Sequence, residues 1–412
     1  MATIQKRGKA GQETYFISVS NGRDGNGKRV RETVTWKPDP SKTPKQNEKD
    51  LQKFVIEFED KVKSGKLFNG DKMTMDEFFE IWLEKYAKPE LQETSISNYK
   101  DNYYTHIQQV LGNMKLTQIH PLILKDLYLD MQTHRKDGKE GGYSRATIKR
   151  IHACISILMS TAKDWRLVES NPCDNVKVPK DKGHKEQKIK HFTVHEAETF
   201  LNRLNEEYSR GIIDIQSVIF YHLAMLCGMR RGEIVALEWD DIDFDNNIVD
   251  VTKSTVLLDG VPYTKEPKSV SSIRKVSIPK HVATMLKEYR PQQMRKRLEM
   301  GSAWNGDNYI FTRQDGSQMY PSYPSQLFSK ILKRHNTEHP ENPLPLISLH
   351  DLRHTSATLL VASNVNPKTV SSRLGHSEIG ITLNLYTHSL QSADQEAAEI
   401  LDNLFFKESK TS

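Results

Sequence analysis

At 412 residues the chain is too long for one ordinary hydrophobic core and predicts two or three domains. A hydrophobic fraction of 36% and a charged fraction of 27% describe a soluble globular protein, and no run approaches the roughly 20 apolar residues of a membrane-spanning helix. The formal net charge is only +6, but residues 1–72 hold sixteen Lys/Arg against ten Asp/Glu, so the surplus is concentrated in the first segment.

That segment opens with Tyr15-Phe16-Ile17-Ser18-Val19, a short apolar strand, followed by the turn signal Asp24-Gly25-Asn26-Gly27. From Arg29 to Trp36 the chain alternates, with Val30, Val34 and Trp36 on one face and Arg29, Arg31, Thr33 and Thr35 on the other. Beyond Pro38, Pro40 and Pro44, residues Leu51, Phe54, Val55, Phe58 and Val62 fall at helical spacing. The expectation is a small three-stranded sheet backed by one helix. Its polar strand face suits a DNA groove, as in β-ribbon readers, and equally suits plain solvent.

Residues 73–178 are helical by pattern. Phe78, Phe79, Trp82 and Tyr86 share one helix that Pro89 is expected to end, and Leu111-Gly112 reads as a glycine C-cap. Ser144 caps a helix whose buried face is Ile148, Ile151, Ile155, Leu158, Met159, Ala162 and Trp165, with Asn171-Pro172 as its stop. The other face carries Arg145, Lys149 and Arg150, a stripe suited to a DNA backbone, although such runs are usually just wet surface. A lysine-rich linker over 179–190 leads into a mixed segment, 191–412. There helices run up to Gly228, strands fill Ile248 to Ile278 with Asp259-Gly260 as a hairpin turn, and helices resume near Lys280. The fold class is therefore multidomain, mainly α with small β-sheets.

Cys154, Cys173 and Cys227, odd in number and far apart, read as buried free thiols rather than a disulfide framework or a zinc site. Residues 1–9 lack the apolar core of a secretory signal, so a cytoplasmic location is expected.

Four islands of the third segment carry chemistry. In Gly228-Met229-Arg230-Arg231-Gly232-Glu233 a glycine ends one helix, and an arginine at the start of the next can point into a cleft. Lys268 precedes a small polar turn between two strands and has Lys265 and Lys275 close by. In His350-Asp351-Leu352-Arg353 a titratable imidazole and a cation share one helix face, the pairing a phosphodiester needs. Metal ligation by His350 and His354 is the rival reading, without a third ligand at matching spacing. Last come Leu374-Gly375-His376 and, ten residues on, Tyr386 in a polar stretch.

In this order the islands resemble the tyrosine recombinase, or phage-type integrase, family, with no departure at a catalytic position. Residues 73–178 look like that family's helical core-binding domain, 191–412 like its mixed α+β catalytic domain, and 1–66 like the arm-binding module of integrases from conjugative transposons and phages of low-GC Gram-positive bacteria. The resemblance implies a site-specific recombinase that integrates and excises a mobile element through a 3′-phosphotyrosyl intermediate and a Holliday junction, without metal, cofactor or ATP. Tyr386 would be the nucleophile and Lys268 the donor of a proton to the leaving 5′-oxygen. His350 would move the tyrosine proton, and His376 would hydrogen-bond the phosphate. Arg230 and Arg353 suit the non-bridging oxygens because guanidinium offers fixed bidentate donors and stays charged.

Expected partners are double-stranded DNA at core and arm sites and a homotetramer on that DNA, with an excisionase and a host DNA-bending protein as further candidates and no membrane. Ser392 and Gln395 form a capping box for a tail helix whose stripe, Ala397, Ile400, Leu401, Leu404 and Phe405, packs on its own domain or on a neighbouring subunit. Two rivals share parts of the pattern. A type IB topoisomerase-like enzyme is disfavoured by the arm-type module. A non-catalytic DNA-binding protein would have lost catalytic residues, and none is missing.

Overall fold

The computed structural model describes residues 2–8, 13–23, 27–63, 72–135, 140–180, 190–267, 272–306 and 308–375. Lys268, His376, Tyr386, the tail helix, the Asp24-Gly25-Asn26 turn and most of the lysine-rich linker lie outside them. Internal contacts divide the chain into two units, Met1–His184 and Lys185–Ser412.

In the first unit, β1 (Thr3–Arg7), β2 (Thr14–Arg23) and β3 (Arg29–Trp36) form an antiparallel sheet in that order. The alternation of β3 is realised: Val30, Val34 and Trp36 are half-buried, while Arg29, Arg31, Thr33 and Thr35 are exposed. Helix α1 (Pro44–Lys63) closes the buried face, setting Leu51, Phe58 and Val62 against Ile17 and Val19. Each such side chain contributes about 1.5–3 kcal/mol when fully withdrawn from water, which is why the one-sided pattern selects this packing.

Helix α2 (Met75–Trp82) starts at a Thr74–Glu77 capping box and buries Phe78, Phe79 and Trp82. Pro89 does not end it. The backbone widens into a π turn at Leu83–Ala87 and continues through α3 (Lys88–Glu90). The wider turn opens the helix where a regular one would drive a carbonyl into the proline ring. Next come α4 (Glu93–Asn102), a second π turn at Tyr103–Ile107 and α5 (Gln108–Leu111). Gly112 does stand at the C-cap, but right-handed, at φ −55°. Its glycine is required by close approach instead: a Cβ there would meet Oδ1 of Asp76 at 2.6 Å.

Two long helices, α6 (Pro121–Thr133) and α7 (Arg145–Asp164), complete this core. The Ser144 hydroxyl accepts from the Thr147 amide at 3.2 Å, as an N-cap should. Two expectations for α7 fail. Trp165 is its C-cap residue and remains 37% exposed, with its ring edge-on to Phe78. The helix also stops well before Asn171, because Arg166 turns left-handed at φ 58°; Asn171 instead caps a 3-10 turn at Pro172–Asn175. All three cysteines are buried free thiols, and burial pushes the Cys227 thiol up to about 12.

The second unit is built around α9 (Ile215–Leu226), which is buried on nearly every side, as a helix apolar all round must be. It follows α8 (Val194–Ser209) and leads into α10 (Arg231–Val235). Strands β4 (Ile242–Asp243), β5 (Ile248–Val251) and β8 (Arg274–Ser277) make one small sheet, and β6 (Ser254–Leu258) pairs with β7 (Val261–Lys265). Asp259 and Gly260 both have positive φ, 50° and 80°, the geometry of the expected two-residue turn. Among the described residues four helices follow: α11 (Lys280–Met300), α12 (Tyr323–Glu338), α13 (Asp351–Ala362) and α14 (Pro367–Leu374). Among the described residues no helix is long and apolar enough to cross a membrane.

Candidate active site

The site forms where α9 breaks. Gly228 adopts φ 61°, and a Cβ there would meet Leu374 Cδ2 at 2.3 Å, so only glycine lets the chain turn against α14. Two residues later Arg230 becomes the N-cap of α10. Its backbone amide donates to Oε2 of Glu233 at 2.8 Å, and its Nη1 to Oε1 of the same carboxylate at 2.8 Å. Nη2 donates to the Gly375 carbonyl at 2.9 Å, yet the side chain stays 37% exposed.

Arg353, on the first turn of α13, is only 4% exposed. Its Nη1 donates to the Gly228 carbonyl at 2.7 Å, while Nη2 is buried and has no partner among the described residues. Burial and the nearby charges of Arg230 and Arg274 hold its guanidinium down to about 9, although Glu233 acts the other way. Arg274, on β8, is bidentate to Glu233 at 3.0 and 2.8 Å. Two guanidiniums thus hold one carboxylate, with the third, Arg353, near enough to feel its charge. Burial pushes Glu233 up, but the Arg274 pairing and then Arg230 outweigh it and keep the acid below its usual range. The cluster carries surplus positive charge and an unsatisfied donor, which is the electrostatic signature of an anion site.

His350 stands at the N-cap of α13, beside Arg230 in a cleft of about 1110 Å³. Desolvation, His354 and Arg353 hold its imidazole below the usual histidine range. The His350 and His354 rings meet edge to face at 5.2 Å. Among the described residues no group of three His, Cys, Asp or Glu stands together to hold a metal. Of the rival lysines, Lys275 projects from β8 toward Asp250 at 3.6 Å. Lys268, His376 and Tyr386 lie outside the described residues: Lys268 three residues past β7, His376 next to Gly375 and Tyr386 eleven residues beyond Gly375.

The other candidates are in the first unit. Arg29 and Arg31 lie on the exposed face of β3. Arg145 and Lys149 line a groove of about 650 Å³ together with His152, Lys177 and Lys180. Arg150 does not line it: Arg145, Lys149 and His152 are spaced for one helix face, and position 150 falls off that face. Arg274 and His152 are the residues sequence reasoning missed. The seven-residue step from Arg145 pointed to His152; no local pattern pointed to Arg274, 41 residues from its partner Glu233.

Comparison with known proteins bears on this geometry. The model of the phage integrase family matches residues 190–393, and that of the phage integrase N-terminal SAM-like domain matches 74–131. The ICEBs1 integrase of Bacillus subtilis is 31% identical over 74% of this chain and 78% of its own length.

The chain belongs to the phage integrase family.

This integrase is also 29% identical to a XerC-like tyrosine recombinase of Caldanaerobacter subterraneus subsp. tengcongensis, over 96% of the chain and 98% of that protein. Its fold is similar to that of the Tn1549 transposon integrase solved with transposon right-end DNA: TM-score 0.63 at 22% identity, covering 80% of this chain and 100% of that one. A dimeric lambda integrase fragment on a core site matches at TM-score 0.52 and 15% identity over 76% and 95% of the two chains. The integrase is therefore a tyrosine recombinase, an enzyme that cuts and rejoins DNA strands.

Proposed function

We propose that Arg230 and Arg353 bind the non-bridging oxygens of the scissile phosphate and that Tyr386 attacks its phosphorus. The observation that carries this reading is the buried Nη2 of Arg353, without a partner among the described residues, beside two further guanidiniums. A phosphate oxygen supplies the missing acceptor and relieves the like-charge repulsion. Its extra negative charge in the transition state strengthens both interactions, which is what catalysis requires. Attack by the Tyr386 hydroxyl forms the phosphotyrosyl bond and releases a 5′-oxygen, which takes a proton from Lys268. His350, held neutral near pH 7 by its surroundings, is suited to accept the tyrosine proton. His376 follows the carbonyl that Arg230 binds and would hydrogen-bond the same phosphate. The phosphodiester energy is kept in the covalent bond, so rejoining needs no ATP.

The assembly we infer places residues 1–66 on arm-type sites, with Arg29 and Arg31 toward DNA. Residues 73–178 take the core site, where the Arg145–Lys149 groove meets the backbone. Residues 179–190 act as the tether and 191–412 as the catalytic domain. Four subunits act on one synapse, joined by the tail helix beyond Tyr386, and an excisionase and a host DNA-bending protein set direction. Such a protein works in the cytoplasm of its bacterial host. The test is a suicide substrate nicked near the crossover. Wild type should become covalently attached and Tyr386→Phe should not; equal behaviour would reject the assignment.

A further inference from the structure

Arg274 does not line the cleft beside Arg230, yet it ties its own strand β8 to two elements around Arg230. Its Nη1 and Nη2 grip both oxygens of Glu233, the carboxylate that also holds the backbone and side chain of Arg230. Its Nε donates to the Arg373 carbonyl at 2.8 Å, at the end of α14. Arg230 itself binds the Gly375 carbonyl two residues further along. The Arg274 side chain is only 6% exposed and Glu233 4%, so solvent screens this pair little. Three guanidinium nitrogens on β8 are therefore occupied by protein oxygens fixed to α10 and α14.

We infer that Arg274 is a positioning residue for strand cleavage, which fixes Arg230 through Glu233 and fixes the backbone at Arg373 that leads to His376. The inference rests on Arg230 being a phosphate-binding group. Without Arg274, Glu233 keeps only its two bonds to Arg230 and loses the fork that fixes both of its oxygens to a second element. An error of about 1 Å in a charge-stabilising donor is enough to cost on the order of 100-fold in rate.

The test compares single-turnover cleavage of a nicked phosphodiester substrate with that of the same DNA carrying a neutral methylphosphonate at the scissile position. Loss of a guanidinium that stabilises charge slows the first and largely spares the second. Arg274→Gln should cleave the phosphodiester about 100-fold more slowly, the methylphosphonate within about threefold of wild type, and bind DNA within about twofold in a gel shift. Arg274→Lys, which restores the charge but not the fork, should recover part of the rate. Equal slowing on both substrates, or no slowing, overturns the inference. If Arg274→Gln does not fold, as read by its thermal melt, the isosteric Glu233→Gln carries the same comparison with the same two outcomes. Arg230→Ala is run alongside. If it shows no phosphodiester-selective loss, the phosphate-clamp reading fails first; if it does and Arg274→Gln does not, only the positioning role fails.

Discussion

Arg353 donates from Nη1 to the carbonyl oxygen of Gly228 at 2.7 Å, tying the first turn of α13 to the break between α9 and α10. One guanidinium thus holds together two islands that lie 125 residues apart, while its other terminal nitrogen is buried without a partner among the described residues.

That division of labour predicts a split phenotype. Arg353→Ala removes the acceptor's partner and leaves a buried carbonyl unsatisfied, a cost of about 1–3 kcal/mol. It should also lower the covalent-trapping rate by on the order of 100-fold or more. Urea unfolding and single-turnover cleavage measure the two effects separately, and Arg353→Lys should spare stability more than rate.

The surplus charge around Glu233 should make the catalytic unit bind oxyanions without DNA. Sulfate or phosphate should stabilise it beyond what chloride does at equal ionic strength, by about 2.7 kcal/mol at a hundred times Kd, read as a higher melting temperature. The specific increment should vanish in Arg353→Met. A shift that persists there would move the anion site elsewhere.

Gly228→Ala should destabilise the catalytic unit by about 2–4 kcal/mol, combining a left-handed backbone penalty with overpacking against Leu374. Denaturant titration reads this directly. A variant as stable as wild type would show that the α9–α14 contact relaxes freely.

His222, His350 and His354 all have folded-state values below the ordinary 6.5, each first through desolvation. In the window just under 6.5 the unfolded chain therefore binds more protons than the folded one. Stability must fall as pH drops through that window and be regained above it. Melting temperatures measured across it should show this slope, and the double variant His350→Gln, His354→Gln should show a shallower one. Identical slopes would assign the linkage to His222 or to groups elsewhere.

Away from the site, Glu207 is fully buried between α8 and α12, bound by Arg203 Nε and Arg334 Nε at 3.0 Å each. Glu207→Gln takes the carboxylate from Arg334, while Arg203 keeps Glu206 and Glu338, and should cost about 3 kcal/mol, the low end for a broken buried pair. Since α12 also lines the cleft through Ser325 and Lys333, cleavage should weaken with it. Calorimetry and the nicked-substrate assay together check both effects.

The chain order of the motifs and the period of its apolar residues determined the family, the fold class and most elements. Both are local: a two-residue period is enough to divide β3 into faces, and Gly228 followed by Arg230 is enough to mark a helix break. Local signals misjudged Pro89 and Trp165, because a π turn and a left-handed Arg166 decide those positions, and they placed the Gly112 cap without showing that a carboxylate from another helix is what requires glycine there. Only the tertiary structure brought Arg230, Arg274 and Arg353 around Glu233, from α10, β8 and α13. Their meeting is a property of packing across long sequence separations, and a buried carboxylate can choose among arginines only once the core has placed them.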